Sequence, residues 1–309
     1  MTSPRELQNL YQQGVNITQH LRQTQGLERN TDAIIEIAYD LQAGSYIAAM
    51  ADVKMAQHKK IYSAEIAKVI LSLCEPSSVL EAGVGEATTL SGVLAHLNPT
   101  ITSYGFDLSW SRTALAQRWL HSQNIKTTTL CTGNLLNIPF ADNAIDVVYT
   151  SHSMEPNGGK ETPILQELYR VAKKYVVLLE PTYELANNEA RQRMVSHGYC
   201  RNLTGVAAAL GYEVMHHGLF PLCANPLNPT GLTIIKKPDL SPLNNAQALK
   251  EERMADQVLA CPKYKTPLKA IDGMLFSPEA LVAYPIVGGI PCLRIDNGIF
   301  ASHFLKMNE

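Results

Sequence analysis

Ser78-Val79-Leu80-Glu81-Ala82-Gly83-Val84-Gly85-Glu86-Ala87-Thr88-Thr89-Leu90 reads as an apolar strand that ends in an acid and a glycine turn, with a helix behind it. The pattern is that of a nucleotide-cofactor loop. Gly83 and Gly85 supply the dihedrals of a tight turn and let a ligand approach the main chain without meeting a Cβ. Glu81 decides the kind of ligand, because a carboxylate at the strand end repels a pyrophosphate and attracts a cation. Two glycines after an apolar run also occur at turns that bind nothing, so the order of the downstream motifs carries the weight.

Residues 101–106 read as a second strand that ends on Asp107, where a nucleotide fold places a carboxylate for ribose hydroxyls. Ser109 or Ser111 caps a helix running to about Ser122, with Ala114, Leu115, Trp119 and Leu120 expected on its inner face. Residues 127–132 form a third strand, followed by Gly133-Asn134-Leu135. Asn134 offers a donor and an acceptor on one short side chain, which suits the edge of an adenine ring and equally suits a loop turn. Residues 144–150 make a fourth strand. A cationic nucleoside is the ligand these features favour over NAD, and S-adenosylmethionine, with its positive amino and sulfonium groups, is such a molecule.

In this order the motifs resemble the class I S-adenosylmethionine-dependent methyltransferases, over residues 62–237. Glu81-Ala82-Gly83-Val84-Gly85 looks like their first motif, Asp107 like the acid of their second strand, and Asn134 like their adenine contact. Pro139-Phe140 before Asp146-Val147-Val148-Tyr149 is similar to their fourth-strand motif, and Glu167-Leu168-Tyr169-Arg170-Val171 through Glu180-Pro181 to the helix and strand after it. Ala87 replaces the third glycine of the loop. The resemblance implies an α/β doubly wound, seven-stranded, mostly parallel sheet with an antiparallel strand near one edge, at residues 233–235 after 212–217. It also implies cofactor contacts from Glu81, Gly83, Gly85, Asp107, Asn134, Leu135 and Ser151.

The loop after the fourth strand, Thr150-Ser151-His152-Ser153-Met154-Glu155-Pro156-Asn157, is the richest in chemical groups and falls at the carboxyl end of the sheet, where open parallel sheets bind ligands. His152 or Glu155 is placed to take a proton from an acceptor. Asn157, Glu180 and Tyr183 are candidates to face that acceptor, and Arg191 and Arg193 read as solvated helix residues. The first sixty residues are helical in character, and the aromatic and polar groups Tyr11, Tyr39, Gln42 and Tyr46 are candidates for the acceptor wall. His216 and His217 are adjacent on a strand and point to opposite faces, so they cannot share a metal.

Composition bounds the alternatives. With 309 residues, 46% of them hydrophobic, and no apolar run near the roughly 20 residues that cross a bilayer, a large core without a membrane span is expected. Residues 1–6 lack a basic region followed by an apolar segment, so secretion is not expected. Six scattered cysteines point to a reduced, cytoplasmic protein. A formal charge of −2 argues against a nucleic-acid partner, and the low charged fraction of 17% suggests surface buried in a homodimer or a large core.

The expected division is a helical cap over 1–61, a cofactor domain over 62–237, a turn-rich linker over 238–257 with a polar helix from Ala246 to Gln257, and a small β-rich unit over 258–309. Over about residues 258–295 this last segment resembles the small zinc-ribbon activator subunits of methyltransferases and their short bacterial relatives. Its Tyr284-Pro285-Ile286-Val287-Gly288-Gly289-Ile290-Pro291 tail is intact, but of the ligand positions only Cys261 holds a cysteine, with Tyr264, Ser277 and Ala280 at the others. One thiolate cannot build a four-coordinate site, so no metal is expected, and Leu259, Leu268, Ile271, Leu275, Phe276, Tyr284, Ile286, Ile290 and Leu293 must supply the packing. A segment this short is marginal alone and is expected to lean on the catalytic domain or a second protomer. The whole reads as methyl transfer from S-adenosylmethionine to a small-molecule acceptor. The alternatives are a tRNA or protein methyltransferase and a cofactor-binding regulatory pseudoenzyme.

Overall fold

In the computed structural model, which describes residues 2–238 and 258–307, the deciding stretch opens with strand β1 (Ser78–Ala82), buried from Val79 onward. β1 pairs in parallel with β2 (Thr102–Asp107) and β4 (Ile145–Ser151). β2 continues in parallel to β3 (Thr129–Thr132), and β4 to β5 (Ala172–Pro181). β7 (Thr230–Lys236) then runs antiparallel to β5, with β6 (Glu213–Leu219) antiparallel to β7 at the far edge. The result is a seven-stranded sheet of order β3-β2-β1-β4-β5-β7-β6.

Because strand side chains alternate between faces, neighbouring apolar residues enter different cores. Val79, Val147, Val177 and Ile234 pack with helices α5 (Val53–Leu73), α6 (Thr88–Leu94) and α7 (Trp110–Ser122). Leu80, Val148, Leu178 and Ile235 pack on the other face with α8 (Glu161–Val171) and α10 (Leu203–Ala209). Ser109 caps α7, as the sequence allows, but the buried face of that helix is Arg112, Thr113, Ala116 and Leu120. Ala114 and Leu115 are only half-buried, so the inner face expected from apolar spacing is rotated toward an arginine.

Before this sheet, α1 (Pro4–Gln12), α2 (Ile17–Gln25) and α3 (Asp32–Leu41) close around Leu7, Ile17, Leu21, Ile34 and Ala38. The short α4 (Ser45–Ala49) follows a break at Gly44, whose φ of 97° is a conformation that favours glycine. The expected boundary after residue 61 falls inside α5, since Val53–Leu73 contains neither Gly nor Pro to interrupt it. α9 (Asn188–His197) stands beside the cap and starts on an Asn187 side-chain cap.

The expected linker helix lies outside the described residues. Beyond it, β8 (Lys269–Ile271), β9 (Met274–Ser277), β10 (Val282–Val287), β11 (Ile290–Pro291) and β12 (Ile299–Phe300) form a small antiparallel sheet. Cys261, Leu268, Tyr284 and Leu293 of this unit join the core that contains Tyr104, Phe106, Cys131 and Phe140. Ile286, expected in that packing, is exposed instead. The main chain is stitched as well: Leu293 N–H donates to the Thr132 carbonyl at 3.1 Å and Ala260 N–H to the Pro139 carbonyl at 3.0 Å.

Candidate active site

At the carboxyl ends of β1, β2 and β4 the strands splay from the helices and leave a cavity of about 350 Å³. The strand-to-helix turn is held open by its glycines. Gly83 has φ 79°, and a Cβ there would stand 2.2 Å from that of Ser153, whose hydroxyl donates to the Ala82 carbonyl at 2.6 Å. Gly85 has φ 54° and faces the cavity with nothing closer than Arg112 Nη1 at 3.6 Å. Ala87 also lies in the left-handed region, φ 58°, so the residue standing at the third loop position carries backbone strain that a glycine relieves.

Two acids mark the strand ends. Glu81 is buried, accepts the Tyr149 hydroxyl at 3.0 Å, and has its pKa pushed up to about 8 by burial, with the charge of Asp107 adding to the rise. Lys59 on α5 faces the same space, donates to Thr89 Oγ1 at 2.9 Å, and has its pKa lowered by burial against the pull of Glu81. Asp107 accepts Gly85 N–H at 3.0 Å and Ser109 N–H at 2.9 Å. Burial raises its pKa, while the Arg112 charge works the other way. Arg112 is itself buried, stacks 4.9 Å from the Tyr39 ring and 4.6 Å from Tyr46, and donates from Nε to the Tyr39 carbonyl at 2.9 Å.

The loop after β4 is shaped by Glu180, whose carboxylate accepts the backbone N–H groups of Ser153, Met154 and Glu155 at 3.0–3.1 Å. Burial pushes the pKa of Glu180 up to about 7. His152 sits at φ 57° and both ring nitrogens are engaged, Nδ1 with Glu155 Oε2 at 3.0 Å and Nε2 with Thr230 Oγ1 at 2.8 Å. Burial lowers the imidazole pKa, but the hydrogen bond to Glu155 and the charges of Glu155 and Glu180 outweigh it and leave it raised. Asn228 Nδ2 adds a second donor to Glu155 Oε2 at 3.2 Å. When His152 is protonated, both ring nitrogens donate, Nδ1 to Glu155 and Nε2 to Thr230.

Glu81, Gly83, Gly85, Asp107, Asn134, Leu135 and Ser151 all line this cavity, with His152, Glu155 and Asn157. The amide of Asn134 is partly engaged, since Nδ2 donates one N–H to Asp32 at 2.7 Å and Oδ1 accepts Leu136 N–H at 2.9 Å. A second cavity of about 380 Å³ adjoins the first through Tyr39, Tyr46, Glu155 and Pro156, and Tyr11 and Gln42 line it alone. Glu180 and Tyr183 line neither. Glu180 is consumed by the three loop amides, and the Tyr183 ring lies between Arg191 and Arg201, each 5.5 Å away.

Arg193, expected in solvent, lines the second cavity instead, because α9 turns that face toward the cap. Three more residues escape sequence reasoning. Arg112 carries no signal that separates it from a solvated arginine. Lys59 does carry one, since it continues the helical stripe of Tyr62 and Ile66, both buried. Glu86 is also buried, and it accepts Gly44 N–H at 2.9 Å and Ile47 N–H at 2.7 Å, which seats Tyr46 over the cavity.

Among the described residues no group of three or more His, Cys, Asp or Glu side chains is arranged to hold a metal, and no helix is long and apolar enough to cross a membrane. Residues 79–175 match the family model described as a methyltransferase domain. A search of curated proteins finds no match. Among solved structures, magnesium protoporphyrin IX methyltransferase from Synechocystis PCC 6803 aligns at 10% identity over 67% of this chain and 100% of its own, with a TM-score of 0.51. A chain from the Haloferax volcanii complex of a methyltransferase activator with a methyltransferase candidate aligns at 15% identity over 64% and 97%, with a TM-score of 0.50. At these identities the structures share the fold. The domain match and the shared fold together mark residues 79–175 as part of a methyltransferase domain of Rossmann-like fold.

Proposed function

We propose that this chain transfers a methyl group from S-adenosylmethionine to a small-molecule acceptor that binds in the second cavity. The observation that carries the reading is the junction of two cavities across Glu155, Tyr39 and Tyr46, one with an acid at each of two strand ends and the other on its far side. The residues fit the cofactor. Glu81 suits its positive groups, Lys59 its carboxylate, Asp107 its ribose hydroxyls, and the open face of Gly85 admits the chain between them. Leu108 and Leu135 offer apolar walls for a base. When bound, the group supplies an electrophilic methyl on a sulfonium.

What the chain adds is position and proton handling. Tyr39 and Tyr46 close the junction and exclude water, and the Glu180 amide cradle fixes the loop that holds Glu155. Glu155 takes the acceptor's proton, and His152, anchored on Thr230, is its positioning residue. The unit from residue 258 onward is best read as a ligand-poor zinc ribbon fused in cis. Cys261 and Ser277, two of its four ligand positions, are both buried, and the Tyr284 hydroxyl stands 3.6 Å from the thiol.

Calorimetry tests the cofactor assignment. Asp107→Ala is expected to weaken S-adenosylmethionine by at least about tenfold, since a charge-assisted hydrogen bond contributes roughly 1.5–3 kcal/mol. Wild-type affinity in that variant, or binding of NAD in place of S-adenosylmethionine by the unmodified chain, overturns the reading.

A further inference from the structure

We infer that the acceptor is a small zwitterion, an amine that also carries a carboxylate, held with its nitrogen at Glu155 and its carboxylate at Arg193; this rests on the methyl-transfer reading above. The second cavity contains groups whose hydrogen-bonding capacity the protein leaves unused. Asn30 is 5% exposed, and its Nδ2 donates to the Pro156 carbonyl at 2.9 Å, while its Oδ1 has no partner. Arg193 has no carboxylate within ion-pair distance among the described residues, and its Nη1 is buried without a partner. Its guanidinium carbon lies over the Tyr199 ring, 5.6 Å from the ring centre.

A guanidinium whose buried Nη1 has no acceptor is costly to maintain unless something accepts from it, and a carboxylate matches its geometry. At the other end stands Glu155, the carboxylate on the wall shared with the cofactor cavity. The two opposite charges face one polar chamber of about 380 Å³, large enough for a molecule of a few carbons. A simple acid in this chamber meets the repulsion of Glu155, and a simple amine leaves Arg193 unfilled. A molecule with both groups satisfies both, and a donor on it serves Asn30 Oδ1.

The polarity also fixes the atom that is methylated. Arg193 belongs to α9, on the side away from the cofactor cavity, and Glu155 is at the junction, so the nitrogen is the end presented for transfer. The ammonium first gives one proton to the Glu155 carboxylate. The freed nitrogen lone pair then forms the N–C bond as the carbon–sulfur bond breaks, with its electron pair left on sulfur, which goes from sulfonium to neutral thioether.

Titration calorimetry on the full chain saturated with S-adenosylhomocysteine tests this with three probe sets: the common α-amino acids, their decarboxylated amines and their deaminated acids. At least one amino acid is expected to bind, with its amine and acid counterparts at least tenfold weaker. Arg193→Met is expected to lose at least tenfold for that amino acid at unchanged S-adenosylhomocysteine affinity, and Arg193→Lys, which keeps the charge, to recover part of the loss and to control for folding. Amines that bind as well as amino acids, no binding by any amino acid, or indifference to Arg193→Met each overturn the inference while methyl transfer stands. Failure of S-adenosylhomocysteine itself to bind overturns the methyl-transfer reading beneath it.

Discussion

The two ends of the chain hold on to the sheet by different physics. The N-terminal cap has its own small core, and it reaches the rest of the molecule largely through polar groups. Asp40 accepts the hydroxyls of Ser109 at 2.7 Å and Ser111 at 3.0 Å at the start of α7, and Glu86 answers by capping α4. The C-terminal unit instead sends Cys261, Leu268, Tyr284 and Leu293 into the main core. The two ends meet where buried Arg294 pairs with Glu36. Polar contacts exchange with water at small net cost, whereas apolar burial does not, so the cap is expected to separate from the cavities more readily than the tail does from the core.

Removing the tail should therefore do the most damage. Each large apolar side chain withdrawn from the core costs about 1.5–3 kcal/mol, and several together approach the roughly 5–15 kcal/mol that a whole protein has in hand. Truncation after Lys237 is expected to give aggregated protein by light scattering. A soluble, monodisperse truncation with an unchanged melting temperature would break the contrast.

The cap should respond differently. Asp40→Ala with Glu86→Ala removes two helix caps of about 1 kcal/mol each, and the main melting transition is expected to survive. Cofactor affinity should fall by roughly tenfold, because Tyr39 and Tyr46 are no longer held over the cavity. Limited proteolysis near Gly44 should accelerate. Loss of the whole fold in this variant would mean that the cap is as integral as the tail.

A third measurement uses the acids beneath the cap. Glu81 and Glu180 have folded pKa values raised to about 8 and about 7 from an ordinary 4.5. The folded chain thus keeps protons that the unfolded chain releases, and the free protein should lose stability as pH rises from about 4.5 through 8. A cationic ligand beside Glu81 favours its ionised form. Saturating S-adenosylmethionine should therefore stabilise more at pH 8 than at pH 5, with protons released on binding below pH 8. Scanning calorimetry across this range checks both slopes. The cap variant should flatten them by letting water reach Glu81.

The smallest effect lies in neither region. Ala87→Gly relieves a left-handed alanine but adds freedom to the unfolded chain, for a net gain of at most about 1 kcal/mol. A clear drop in melting temperature would show that the Ala87 methyl matters more for packing than its backbone angle does.

Much of the sheet is legible in the sequence because β1, β4 and β5 each carry a short apolar run, Val79-Leu80, Val147-Val148-Tyr149 and Val176-Val177-Leu178-Leu179, buried on both faces and followed by a polar or turn residue. α2 is not, since Ile17 and Leu21 are its only buried apolar residues. At the site, backbone-determined features such as Gly83 and Gly85 can be read directly, because their dihedrals follow from the turn. Charged side chains cannot. Glu180 and Arg112 are each defined by partners far away in sequence, and a carboxylate that cradles three amides looks the same in a sequence as one that faces a substrate.

The bond between Leu293 and Thr132 also has a consequence for synthesis. β3 is the edge strand of the large sheet, and the segment that covers it is synthesised after every strand of that sheet. Until residue 293 has emerged, the nascent domain presents an open strand edge and the apolar surface around Tyr104 and Phe140. Closure of that edge therefore follows formation of the sheet, and the open edge is the state of the domain most exposed to wrong strand pairing.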